Sequence, residues 1–104
     1  MNDAEKNKPK RVASAGGAPL HFVGDAGVSP ADVSLVDDSS EIITSTAVYV
    51  CNKHASQYLD FSFDGGTDYF RLEAGQAMRF DVQTSTVKVL GEGASTSYGL
   101  LVTH

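Results

Sequence analysis

The chain has 104 residues, of which 41% are hydrophobic and 20% charged. That is one domain's worth of chain, and a fold of this size buries roughly 65% of the surface its unfolded chain exposes, enough for a small core without staples. The composition excludes a wholly disordered chain, no apolar run approaches the ~20 residues of a transmembrane helix, and a single cysteine excludes a disulfide within the chain.

Net charge is −5, and its distribution matters more than its sum. Residues 1–11 carry Lys6, Lys8, Lys10 and Arg11 against Asp3 and Glu5, a side-chain charge of +2. The other 93 residues carry four cations and eleven carboxylates, or −7. A basic tail on an acidic body is expected to meet an acidic surface, that of a neighbouring copy, another protein or nucleic acid. The two interrupting carboxylates and the acidic body argue against nucleic acid as that partner. No apolar stretch of ~7–15 residues follows the basic start, because Val12 to Pro19 is mostly Ala, Gly and Ser, so a secretory signal is not expected. The lone Cys51 fits a reducing compartment.

Residues 1–19 have no hydrophobic periodicity, and Pro9, Gly16, Gly17 and Pro19 interrupt any regular element. They read as an extended or flexible N-terminal arm. Leu20, Phe22 and Val23 around His21 form a short apolar patch, either a first strand or an anchor that docks the arm. Residues 20–41 as a whole read as an irregular docking segment punctuated by Gly24, Gly27, Pro30 and Asp37-Asp38. Within it, Ser29 to Asp32 suits one helical turn, and Val33, Leu35 and Val36 suit an edge strand instead.

From residue 42 the texture is that of strands. Ile42 to Val50 is rich in β-branched residues, and Asn52-Lys53 turns. Leu59, Phe61 and Phe63 alternate with Tyr58, Asp60 and Ser62, the period-two pattern of a strand with one buried face. Asp64-Gly65-Gly66-Thr67 turns, and Phe70 and Leu72 return inward. Met78, Phe80 and Val82, then Val87 and Val89, then Tyr98, Leu100 and Val102 continue the alternation, with turns at Ala74-Gly75, Thr84-Ser85 and Gly91-Glu92-Gly93. The spacing predicts five or six short strands over 42–104, and no connection is long enough for a crossover helix. The expected fold class is all-β, a small antiparallel β-sandwich or barrel with an N-terminal arm. Its expected core is Val48, Val50, Leu59, Phe61, Phe63, Phe70, Leu72, Met78, Phe80, Val82, Val87, Val89, Leu100 and Val102.

No catalytic, cofactor or metal residue is assigned. Cys51 and His54 have a C-x-x-H spacing, but zinc wants about four ligands and the chain holds one Cys and three His. Cys51 reads as a small buried hydrophobe. Asp64 and Asp68 flank a glycine turn without the further oxygens calcium requires, so Asp64 reads as a turn residue accepting backbone N–H groups. No serine sits in a nucleophile elbow, and Gly91-x-Gly93 lies in a hairpin rather than before a helix. Tyr49, Tyr58, Tyr69 and Tyr98 read mainly as cross-strand packing residues.

Three motifs occur within residues 47–104: Ser62-Phe63-Asp64-Gly65-Gly66, Leu72-Glu73-Ala74-Gly75 continuing to Asp81, and Thr86 to Gly99 with its paired glycines. On these the segment resembles the C-terminal β-module of small virion structural proteins of tailed bacteriophages. The resemblance implies a non-enzymatic capsid, neck or tail component with no catalytic residues to carry over. The expectation is a capsid decoration, cement or head-associated protein, located in the virion and assembled in the host cytoplasm. It would act as a homo-oligomer, with the major capsid protein or other virion proteins as partners and no membrane. The arm would attach it, through Lys6, Lys8, Lys10, Arg11 and the anchor Leu20, Phe22 and Val23. The alternative is a tail, fibre or baseplate adhesion module that binds receptor or glycan through its tyrosines and the Asp64 loop.

Overall fold

Alternating side chains give a strand one apolar face, and two such faces pressed together remove both from water. The computed structural model describes residues 19–104 and follows that rule with eight strands. They are β1 (Leu20–Ala26), β2 (Ala31–Ser34), β3 (Ala47–Asn52), β4 (Leu59–Ser62), β5 (Phe70–Leu72), β6 (Ala77–Phe80), β7 (Thr86–Gly91) and β8 (Thr96–Thr103). Two four-stranded antiparallel sheets form, in the orders β1-β8-β3-β6 and β2-β7-β4-β5. Every connection except β4 to β5 passes from one sheet to the other. Eight strands in this order make a jelly-roll sandwich.

Register places one inward row across each sheet. In the first, Phe22, Leu100, Val50 and Met78 lie side by side from β1 to β6. In the second, Ala31, Val89, Phe61 and Phe70 do so from β2 to β5. The middle members Leu100, Val50, Val89 and Phe61 are buried. The same rows emerge at one side, where Met78 is 52% and Phe70 45% exposed. Both were expected in the core. They face inward as their alternation requires, but they sit on edge strands that no further strand covers among the described residues. Phe63, just past the end of β4, and Phe80 and Val82, at and beyond the end of β6, are half-buried against the core. Phe61 is the hub of this side, with its ring centroid 5.7 Å from Phe63, 5.8 Å from Phe70 and 5.4 Å from Phe80.

Residues 20–41 correct the expectation of an irregular segment. They supply β1 and β2, one outer strand of each sheet, and Leu35 is fully buried. Gly24 and Gly27 do not break β1 because the strand runs through Gly24 and ends before Gly27, whose carbonyl accepts the Gly91 N–H at 2.8 Å. Ser29-Pro30 opens β2, not a helical turn. The first strand therefore begins at Leu20. Residues 1–18, including Lys6, Lys8, Lys10 and Arg11, lie outside the described residues.

Asn52 ends β3 in full burial, which is tolerable only because its amide is satisfied. Its Nδ2 donates to the carbonyls of Gln57 (2.8 Å) and Leu72 (3.1 Å), and its Oδ1 accepts the His54 N–H at 3.0 Å. That side chain ties the β3–β4 connection to the end of β5.

Burial orders three phenylalanine substitutions. Phe61→Ala should destabilise the protein by about 3–5 kcal/mol, Phe80→Ala by less, and Phe70→Ala least, as read by denaturant unfolding. Equal losses at Phe61 and Phe70 would contradict the placement of Phe70 at an open edge.

Candidate functional site

The surface that stands out is the rim of the sandwich. Among the described residues, β1 and β6 each pair on one side only, as do β2 and β5. The connections fix which edges lie together. β1 runs into β2 and β5 runs into β6, so one flank carries the β1 and β2 edges and the other the β5 and β6 edges. The outer face of the first sheet adds exposed apolar groups: Val23 on β1 (63%), Tyr49 on β3 and Leu101 on β8.

That outer face is dented at Gly99. The row Val23–Gly99–Cys51–Ala77 crosses the sheet, and glycine leaves a gap in it. His21, Tyr49, Cys51, Lys53 and Leu101 surround Gly99 to form a shallow depression of about 260 Å³. Cys51 is thus half-exposed on an outer face, not the buried hydrophobe expected from the sequence. Its outward position follows from Val50 and Asn52, its neighbours, being buried on the opposite face. His54 does not join it, because the His54 Nδ1 accepts the N–H groups of Ser56 and Gln57, both at 3.0 Å. Among the described residues, no group of three His, Cys, Asp or Glu side chains is placed to hold a metal ion.

The Asp64 loop is a hydrogen-bonded turn, as its sequence suggests. Gly65 and Gly66 take φ of 75° and 96°, the left-handed region that glycine enters without penalty. Asp64 Oδ1 accepts the N–H groups of Asp68 (3.0 Å) and Thr67 (3.1 Å) and the Ser62 hydroxyl (2.6 Å). These bonds, the Asp68 N–H above all, hold the carboxyl below its ordinary 3.8. Three donors on one oxygen explain Asp64 without a ligand.

The tyrosines divide. Tyr98 is buried, and that burial, reinforced by Asp25, pushes its hydroxyl up. Tyr58 lies under Arg71, whose Cζ is 3.6 Å from the ring centroid. Arg71 is held there by Asp60, Nε to Oδ1 at 2.7 Å and Nη2 to Oδ2 at 2.9 Å. Only Tyr49 and Tyr69 are exposed. The anchor residues separate as well. Leu20 and Phe22 are half-buried in β1, and Val23 points outward.

Sequence reading missed the edges themselves, because alternation reports which face of a strand is buried, not whether a neighbour lies beside it. The signal available was the shortness of the strands around Phe70 and Met78.

No family model matches the chain, and no curated protein matches it. Among solved structures, it superposes on a chain from Bacillus endospore appendages, described as a novel family of disulfide-linked pili. The TM-score is 0.55 with 17% identity, over 92% of this chain and 97% of that one. The likeness shows the fold: this is an all-β protein of two packed four-stranded sheets. No helix among the described residues is long and apolar enough to cross a membrane.

The Asp64 turn has a pH consequence. A carboxyl held below its ordinary value stabilises the fold fully above that value and loses the contribution as pH falls through the lower folded one. Asp64→Asn should therefore flatten the acid limb of a melting-temperature profile taken from pH 5 to about 2. An acid limb unchanged by the substitution would show that the turn bonds do not carry charge-dependent stability.

Proposed function

We propose that this chain is a non-enzymatic structural subunit of a larger protein assembly, a bacteriophage decoration or head-associated protein that attaches through its N-terminal segment. The observation that carries the reading is the rim, uncovered among the described residues, where the inward apolar rows of both sheets run out at Met78 and Phe70. Edge strands with unpaired backbone groups and exposed apolar side chains are surfaces for other protein. The basic residues 1–11 and the acidic body supply opposite charges for contacts between neighbours. The resemblance of residues 47–104 to phage virion proteins supports the choice of particle.

A second reading, a subunit of a cell-surface filament, is favoured by the fold match to the endospore appendage. It would have to work without the covalent links of that neighbour. One cysteine within these residues allows a disulfide between two copies at most, and cannot link a polymer. Filament cohesion would then rest on non-covalent contacts.

The test is attachment. Deleting residues 1–19 leaves the sequence of all eight strands intact, and circular dichroism checks that the truncated chain folds. The truncated chain should pellet with phage particles lacking this protein more weakly than the full chain. The full chain should bind less tightly as salt rises, since the screening length falls from ~10 Å at 0.1 M to ~3 Å at 1 M. Equal pelleting of both chains at every salt concentration would overturn arm attachment. Filaments formed by the full chain alone, seen by electron microscopy, would favour the second reading.

A further inference from the structure

We infer that the depression over Gly99 receives the exposed turn at Glu41-Ile42 of a second copy, so that two copies join across the outer face of the β1-β8-β3-β6 sheet. This goes beyond the attachment proposed above, because it concerns contact between copies and involves neither residues 1–18 nor a particle.

Gly99 is the first support. Glycine inside a strand costs stability and forfeits packing, so it calls for a reason. Other glycines of the chain have one within the fold. Gly65, Gly66 and Gly75 take positive φ. A side chain at Gly24 would run into Tyr98, at Gly91 into Thr96 and at Gly93 into Gln57. Gly99 has neither reason. It lies within inner strand β8 without a positive φ. A Cβ there would approach nothing nearer than His21 Nε2, at 3.4 Å, and Lys53 Cδ, at 3.5 Å. The fold accepts a side chain at 99, so the gap admits a group from outside the chain.

The second support is a knob on the same molecule. Between β2 and β3 the backbone turns tightly at Asp37–Glu41. The Asp37 N–H donates to the Glu41 carbonyl and the Ser40 N–H to the Asp37 carbonyl, both at 2.9 Å. Asp37 Oδ1 accepts the N–H groups of Ser39 (2.9 Å) and Glu41 (3.0 Å). Ile42 follows, bridged to Val36, and is 72% exposed, more than any other large apolar side chain among the described residues. Its neighbour Ile43 packs against the core, which leaves Ile42 outside. A lone exposed isoleucine is ordinary. One held on a fixed turn, on a chain that also carries an unfilled apolar depression, is half of a matched pair.

Charge is the third, and it selects the occupant. The turn carries Asp37, Asp38 and Glu41 and no cation. The depression sets Tyr49, Leu101 and Cys51 beside His21 and Lys53. Among the described residues the ion pairs use Arg71, Arg79 and Lys88, and none uses Lys53. An isoleucine flanked by carboxylates therefore suits the depression in both its apolar and its charged parts. Residues 1–11, with their side-chain charge of +2, match the sign of Lys53 and suit it less. Ile42 does not line the depression of its own chain. Asp37 and Asp38 do border Leu20, His21 and Phe22, so the turn stands beside the strand whose His21 lines the depression. Two copies related by a two-fold axis between turn and depression fill both depressions at once.

The experiment follows self-association of the full chain by sedimentation velocity. The parent should dimerise. Ile42→Ser and Gly99→Val should each weaken dimerisation at least about tenfold, because each removes the contact from both halves of the pair. An equimolar mixture of the two should associate more tightly than either alone, since Ile42 of the Gly99→Val copy can enter the open depression of the other. Lys53→Glu should weaken dimerisation at low salt and less so at high salt. Gly99→Val should melt at or above the parent's temperature, because a β-branched residue suits a strand. Four outcomes overturn the inference. They are a parent that stays monomeric up to about 1 mM, Ile42→Ser that associates like the parent (as it would with residues 1–18 in the depression), a mixture no better than either variant alone, and Gly99→Val less stable than the parent, which would give the glycine a role in the fold. Pelleting of the same full-length variants with phage particles reads the N-terminal attachment separately.

Discussion

An open four-stranded sheet uses both hydrogen-bonding sides of its inner strands and one side of its outer strands. In this protein that division decides burial, stability and surface together. The inner strands are β8 and β3 in one sheet and β7 and β4 in the other. They hold Val48, Val50, Leu59, Phe61, Val87, Val89, Leu100 and Val102, all buried to 2% exposure or less. Among the described residues Leu35 is the one other large apolar side chain buried as completely, and it is tied in by backbone bonds, its N–H to the Ser85 carbonyl at 2.9 Å and its carbonyl to the Ile43 N–H at 2.9 Å. Among the described residues no strand lies beyond the outer ones, and Met78 and Phe70 on their inward side are partly wet, whereas Leu72 and Ala26 lie deep enough to be buried.

The two flanks are not equivalent. The β5–β6 flank is aromatic and cationic, with Phe63, Phe70 and Phe80 clustered at centroid distances of 5.0–6.0 Å beside Arg71 and Arg79. The β1–β2 flank is longer, aliphatic and acidic. Aromatic pairs of this geometry hold the open flank in shape without a covering strand. The Arg71–Asp60 fork, stacked on Tyr58, stiffens the same region from the outer face of its sheet.

Much of this fold was legible in the sequence. β-branched content at 42–50 and period-two alternation beyond it predicted five or six strands, where six are found, and set the correct inward side for Phe61, Val89 and Leu100. Alternation carries no information on lateral neighbours, so Phe70 and Met78 were expected in the core although they end the inward rows. Gly24 and Gly27 hid β1, because glycine is read as a break when it can also lie within a strand or just past its end. The Asp64 turn was legible because its chemistry is local: one carboxylate oxygen meets donors within four residues. Cys51 was not, since a short side chain on an alternating strand is placed by its neighbours Val50 and Asn52. The flank charges could be read only after the strand order was known, because Asp25 and Asp32, or Arg71 and Arg79, belong to different sheets.

The central claim is that, among the described residues, the inner strands β8, β3, β7 and β4 pair on both sides and the outer strands on one. Hydrogen exchange of the backbone amides tests it most directly. Amides throughout β3 and β8 should be protected. In β1 and β6 the amides that pair with β8 and β3 should be protected, and those on the other side of each strand should exchange fast. Equal protection on both sides of β1 and β6 would contradict the account.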